Sequence, residues 1–415
     1  MNYREFEKRA ARTVPAIVLQ TSYANALGII RALGRAEVPV LALDPNPRAL
    51  GFRSRYAAGL VCPDPGKEPE AFLAFLECLG ARLPQRGVVF PTHDEFIWPL
   101  ARNSDRLSAW YRIPFSGWEA MQRLYDKEEQ LRAAWKVGVD TPKTVFVRSA
   151  ADLEEGLREI PFPAIFKPVQ SLAFKERFRR PVLEIPTPAD LETVYARCDD
   201  LGTLMMQEVV PGGDEELYTV GSTLDAQSRP LAVFTGRKLR QHPRRFGTAR
   251  LAESMWSQEL ADAGIRLLTE LGYHGVSQVE FKRDPRNGSY KLMEVNARHW
   301  LWHALAPACG VNLTLASYAD AIGRPFISPR QTEDGRKWTL LFKETVDSLK
   351  EIRHGEQTPQ GWLSSLRGIK VDGVLAWDDP VPGALNAYRL GRMVVQRRVA
   401  KRSGAAVPAA TEIEL

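Results

Sequence analysis

Little in this chain invites thiol, zinc or membrane chemistry. Its four cysteines, Cys62, Cys78, Cys198 and Cys309, are scattered, with no C-x-x-C pair and no histidine at metal-ligand spacing. That excludes a disulfide framework and a zinc-type site, and leaves reduced thiols, mostly in the core. No stretch approaches the ~18 uninterrupted apolar residues of a membrane span. The opening MNYREFEKRAARTVPAIVLQ lacks the apolar run of a signal peptide, so a cytoplasmic protein is expected. The first strand-to-helix turn, TSYANALG, has only Gly28; without G-x-G-x-x-G a dinucleotide site is not expected.

What the chain has in excess is positive charge, +6 net over 415 residues. It is concentrated in Lys175–Arg180, Arg237–Arg250 and Arg389–Arg402 rather than spread, which argues against a nucleic-acid partner. The third cluster reads first as a solvated terminal helix, and alternatively as a basic face drawn to an anionic membrane surface or polymer.

Apolar runs at Ala16–Gln20, Val38–Leu43 and Val88–Pro91 alternate with a helical pattern over Ala24–Arg35 and another after Thr92. This predicts a doubly wound parallel sheet over residues 1–120. Asp94 and Glu95 follow the third run at the ligand-bearing edge, which makes them candidates for substrate binding. Residues 121–210 predict helices at Lys127–Val137, Ala150–Glu159 and Pro188–Cys198. Strands are expected there at Thr144–Val147, Ala164–Phe166, Val182–Ile185 and Leu204–Gln207. Residues 211–330 predict a larger antiparallel sheet with helices at 255–271 and 311–322, and 331–415 form an extension without assignable motifs. The class is α/β, with α+β character in the second half.

The richest stretch is GVSQVEFKRDPRNGSYKLMEVNAR, Gly275–Arg298. Two strands, 276–282 and 289–296, flank Asn287-Gly288, a pair that tolerates the positive φ angles of tight reversals. A three- or five-residue loop centred on 287 would set Glu280 opposite Glu294. Glu294 and Asn296, two apart, share a strand face. Three hard oxygen donors then converge, which suits Mg²⁺ shared with substrate phosphates, with Mn²⁺ as an alternative ion.

Upstream lie Asp126-Lys127, Phe166-Lys167-Pro168 and Met206-Gln207-Glu208-Val209-Val210-Pro211-Gly212, followed by Glu280 and Glu294-x-Asn296-x-Arg298. In this order the chain, over residues 15–325, resembles the ATP-grasp superfamily. Thr235-Gly236-Arg237-Lys238-Leu239-Arg240-Gln241 and Leu43-Asp44-Pro45-Asn46-Pro47 bring it nearest to carboxylate–amine ligases of the D-aspartate ligase kind. The resemblance implies an amino-terminal domain serving the second substrate, then small and large ATP-grasp subdomains. It implies Lys127 and Lys167 on the ATP phosphates, and Gln207, Glu208, Val209 and Val210 around adenine. Glu216, with Asp214 close behind, is expected on ribose, and Glu280, Glu294 and Asn296 on the metal. One departure is the segment Val169–Lys175, which has no glycine where the family has a glycine-rich phosphate loop; Ser171 and Lys175 are the expected substitutes. Arg298, Arg237 and Lys238 are the expected catalytic cations, whereas Arg244 and Arg245 of the HPRR run read as surface.

The resulting expectation is an ATP- and Mg²⁺-dependent ligase joining a carboxylate to an amine through an acyl phosphate. An amino acid is the natural amine, and the carboxylate belongs to a small metabolite or a cell-envelope precursor. Two rivals are a bicarbonate-activating ATP-grasp carboxylase and a non-catalytic nucleotide-responsive module.

Overall fold

The computed structural model describes residues 1–169, 174, 177–178, 180–326 and 330–403. Five parallel strands open the chain: β1 (Ala16–Leu19), β2 (Val40–Asp44), β3 (Ala57–Val61), β4 (Gly87–Pro91) and β5 (Tyr111–Arg112), in the order β3-β2-β1-β4-β5. The centre is apolar because it is covered on both faces: β1, β2 and β4 are buried throughout. β3 carries small residues and alternate exposure, so it gives a weaker signal and was not anticipated. Helix Ala24–Arg35 follows β1 as expected. Its Gly28 is required by a close approach, since a Cβ there would lie 2.7 Å from Nε2 of His303. Helix Asp94–Arg102 begins three residues after β4, leaving Asp94 at the carboxyl edge of the sheet.

Four antiparallel strands make the second layer: β6 (Thr144–Val147), β7 (Ala164–Pro168), β8 (Leu183–Ile185) and β9 (Leu204–Glu208), in the order β6-β9-β7-β8. Helix Lys127–Lys136 starts where Asp126 accepts the backbone N–H groups of Glu128 and Glu129, and it stops before Gly138, which has φ +67°. The Asp of the Asp-Lys pair is therefore the cap that aims the lysine. The single helix expected over Pro188–Cys198 is instead a 3₁₀ turn, Pro188–Asp190, and a short helix, Leu191–Tyr195. Thr187 and Asp190 close a capping box that tightens the first turn.

The third sheet holds β10 (Leu217–Leu224), β11 (Pro230–His242), β12 (Thr248–Ser254), β13 (Gly275–Arg283), β14 (Tyr290–Asn296), β15 (Lys337–Thr339) and β16 (Ile369–Asp372), ordered β14-β13-β10-β11-β12-β15-β16. Residues beyond 330, motif-free in sequence, thus extend this sheet at its far edge. After β16 the chain returns to the amino-terminal domain. There Asp379 accepts Arg31 Nε at 3.0 Å, Ser54 Oγ at 2.9 Å and the Arg55 N–H at 2.8 Å. Asp378 accepts Arg35 at 2.7 and 2.8 Å and Tyr56 Oη at 2.7 Å. Among the described residues no helix is long and apolar enough to cross a membrane.

Candidate active site

The β13–β14 hairpin sets the site. Glu280 stands opposite Glu294, and Gln278 opposite Asn296. The route differs from the expected one. Arg283 pairs with Tyr290, so the loop is 284–289, an even count that alone would face Glu280 with Met293. A β-bulge between Glu280 and Phe281 makes Met293 the extra residue and brings Glu294 into register. It also leaves the Met293 carbonyl outside the ladder, where it accepts Lys167 Nζ at 3.2 Å.

Lys167 reaches this hairpin, and Lys127 reaches the strand that carries Lys167. Lys127 Nζ donates to the Pro168 carbonyl at 3.1 Å, at the end of the strand that carries Lys167. Gln130, one turn along the same helix, accepts the Val295 N–H at 3.3 Å, and the Asp140 carbonyl accepts Leu292 N–H at 2.7 Å. Helix Lys127–Lys136 and its exit thereby cover the free edge of β14. Burial pushes the Lys167 ammonium below the usual lysine range, and the Glu294 and Glu280 carboxylates partly restore it.

Lys238 and Arg237 are neighbours on β11 and so face opposite sides of the sheet. Lys238, 8% exposed, lies on the Glu280 side, with Nζ 2.8 Å from Glu280 Oε1. Arg237 is a correction: it turns to the far side, where Glu253 on β12 takes its guanidinium at 2.6 Å. Arg298, two residues past Asn296, points across to the amino-terminal domain. Its Nε meets Asp94 Oδ1 at 3.1 Å, and its Nη2 stands 3.5 Å from Asn296 Oδ1. Tyr125 Oη donates to the same Asp94 oxygen at 2.8 Å. Burial raises the Asp94 carboxyl, but Arg298 and Tyr125 outweigh it and hold it below the usual carboxylate range. Burial and then Arg298 push His93 down to about 4, so a neutral imidazole lines this cleft.

The other residues singled out from the sequence stand as follows. Glu208 is committed internally: its carboxylate takes the Lys143 N–H at 3.0 Å, Arg286 at 2.8 Å and Lys291 at 2.5 Å, so both oxygens already have partners within the protein. Gln207 crosses to Thr144 Oγ1 at 2.9 Å, Val210 is buried, and the Val209 N–H donates to Pro163 at 3.1 Å. Asp214 is taken by Gln241. Glu216 keeps a buried Oε2 with no hydrogen bond among the described residues; Arg283 is 4.0 Å away. Glu95 is exposed and faces the Gly66 loop, apart from Asp94. Arg244 and Arg245 pair with Glu356 and Glu184. Ser171 and Lys175 lie outside the described residues.

Two partners were missed. Gln278 donates to Glu280 at 2.9 Å, and its spacing of two on one strand carries the same signal that marked Asn296. Tyr125 ends helix Trp118–Tyr125 and has no pattern that announces it.

The donor set fits a hard divalent ion. It offers two facing carboxylates and an amide oxygen. Among the described residues no three His, Cys, Asp or Glu side chains cluster to hold a metal, so an ion at these residues would take further oxygen ligands from outside the protein.

Residues 248–326 match the family model of the carbamoyl-phosphate synthase L chain, ATP-binding domain. The chain is 22% identical over 261 residues to D-aspartate ligase of Enterococcus faecium, covering 59% of this chain and 62% of that protein. It is 26% identical over 253 residues to the carbamoyl phosphate synthase large chain of Thermus thermophilus, covering 55% and 23%. It thus spans less than two thirds of these curated relatives. Among solved structures it is similar to a biotin carboxylase–nucleotide complex from Campylobacter jejuni (TM-score 0.61, 16% identity, 78% of this chain and 74% of that one). It is also similar to N5-carboxyaminoimidazole synthetase from Staphylococcus aureus complexed with ADP (0.60, 14%, 82% and 87%), and to L-amino acid ligase from Bacillus licheniformis (0.52, 16%, 69% and 68%). The chain thus has the ATP-grasp fold and is similar in sequence to D-aspartate ligase and to carbamoyl phosphate synthase chains.

Proposed function

We propose that the chain is an ADP-forming carboxylate–amine ligase. The observation that carries this reading is the meeting of Lys167, Lys238, Glu280 and Glu294 on one hairpin face, with Arg298 leading from it to Asp94 in the other domain. A nucleotide grip alone does not need the second half of that chain.

Lys127 and Lys167 hold the ATP phosphates, with Ser171 in the segment after β7 as a further contact. Gln207–Val210 meet adenine through backbone groups and apolar surface, and Glu216 takes the ribose hydroxyls. Mg²⁺, held by Glu280, Glu294 and Asn296, neutralises phosphate charge when bound. A substrate carboxylate oxygen attacks the γ-phosphorus and ADP leaves, giving an acyl phosphate. The amine lone pair then attacks the acyl carbon; phosphate leaves, and the nitrogen loses a proton. Lys238 and Arg298 stabilise the charge that accumulates on the transferred phosphoryl group, where positioning and neutralisation do most of the work. Asp94 fixes the Arg298 guanidinium and opens the cleft in which the non-nucleotide substrates lie.

An amino acid serves as amine, and the carboxylate comes from a small metabolite or cell-envelope precursor. A screen of amino acids against carboxylate pools, scored by ADP release and by mass of the product, tests the reading. ADP release that needs only bicarbonate, with no amine, would replace it with a carboxylase-type reaction, a rival supported by the likeness to the carbamoyl phosphate synthase chains and the biotin carboxylase fold. ATP binding without turnover on any pair would leave a nucleotide-responsive module.

A further inference from the structure

Helix Leu341–Arg353 is inside out. Its inward side is polar: Glu344, Asp347 and Ser348 are buried. Arg240 meets Glu344 at 2.5 Å, His242 meets Asp347 at 2.9 Å, and Arg250 meets Glu351 at 2.5 Å, all from β11 and β12. Its outward side carries Phe342, Val346 and Leu349 at i, i+4 and i+7, exposed by 36%, 45% and 45%, with Leu341 beside them. An ordinary surface helix does the reverse. The charged groups are paired inward with ions of opposite sign, and a helical apolar strip is left in water. Leu363, on the next helix Pro359–Ser365, is 60% exposed.

Among the described residues from 337 to 403, the acidic side chains are all paired and the unpaired exposed charges include several cations. Glu344, Asp347 and Glu351 are engaged as described, and Glu356 takes Arg244. Asp372 accepts the N–H groups of Leu341, Val374 and Leu375, and Asp378 and Asp379 hold the amino-terminal arginines. The cations Arg353, Arg367, Lys370 and Arg392 are exposed. Phe342 and Lys343 share a shallow crevice with Asn386 and Leu390, which sets the start of the strip beside the basic helix Pro380–Ser403.

We propose that this face docks on an anionic lipid surface, the apolar strip entering the headgroup boundary while the cations meet lipid phosphates. Apolar side chains bordered by Lys and Arg are what interfacial binding requires. A second copy is the poorer occupant, because a two-fold contact sets the same cations against each other. A nucleic acid would leave the strip unburied.

The test is co-sedimentation of the full chain with vesicles containing phosphatidylglycerol and with vesicles of phosphatidylcholine alone, over a salt series. The chain should partition to the former only, and less so as salt rises. Arg353→Gln with Arg392→Gln should weaken partitioning about fivefold per cation removed. Phe342→Ser with Leu349→Ser should weaken it about tenfold or more. Retained nucleotide binding confirms that each variant is folded, and the charge variants decide the matter if the apolar ones are not. No partitioning, or equal partitioning to both vesicles, overturns the proposal. So does a concentration-dependent dimer that dissolves in Phe342→Ser with Leu349→Ser, which would make the face a contact between copies.

Discussion

Glu294 and Glu280 face each other with Lys167 and Lys238 close by, so two anions and two cations meet there. Replacing one carboxylate by an amide removes an anionic ligand and leaves the cations less balanced. Glu294→Gln should keep the fold, lose Mg²⁺ dependence and lower turnover by roughly 10²-fold or more; a Mg²⁺ titration of ATPase or ligase activity measures it. Arg298 and Lys238 should separate chemistry from nucleotide grip. Arg298→Lys swaps a planar fork, engaged with both Asp94 and Asn296, for a point charge. It and Lys238→Ala should bind ATP nearly normally and turn over roughly 10²-fold more slowly, because the loss falls on the transition state. Paired ATP titrations and product assays decide; full turnover in both would make these cations structural. The placement of single residues was legible where it is local to a strand, as with Glu280 opposite Glu294 and Asn296 two residues on. It was misread where a partner is distant. Nothing in a linear reading says that Arg286 and Lys291 consume Glu208, or that Glu253 waits for Arg237.

The elements themselves were legible to within a residue or two wherever the apolar period was long, as in helix Ala24–Arg35, helix Ala150–Glu159 and the β6–β9 strands. The bulge at Met293 was not, because one extra residue leaves no mark on an alternating pattern that a shifted turn would not also explain. Its role is separable from that of the carboxylates. Deleting Met293 should leave Glu294 opposite Glu280 in a regular ladder while removing the carbonyl that receives Lys167. The expected result is a folded protein with weakened ATP affinity, read by equilibrium titration, and with thermal stability little changed. Unchanged ATP affinity would mean that Lys167 finds its place without the bulge.

Across the whole molecule, two of the contacts that join the amino-terminal domain to the rest pair residues hundreds of positions apart, and neither could be read in sequence. At one, His303 lies against Gly28 and donates its Nε2–H to the Asn25 carbonyl, 2.9 Å away, with the His299 ring 4.6 Å from its own. Burial pushes His303 from 6.5 down to about 4, and His299 down as well. The unfolded chain takes these protons first, so stability should be level above about pH 6.5 and fall as pH drops towards about 4. Urea unfolding across that window checks the slope, which His303→Gln should flatten. At the other contact, Asp379 is a buried anion with three donors. Asp379→Asn leaves Arg31 buried beside a neutral group and should cost about 3–5 kcal/mol, read by the same unfolding curves. That second contact also has a consequence in time. Arg31 and Asp379 are 348 residues apart in the chain, which a ribosome adding ~5–20 residues per second covers in roughly 20–70 s. For that interval the nascent amino-terminal domain carries a guanidinium whose counter-ion has not been made. Its final packing therefore waits until Asp379 has been made, and a chain cut short before that residue leaves Arg31 without its counter-ion.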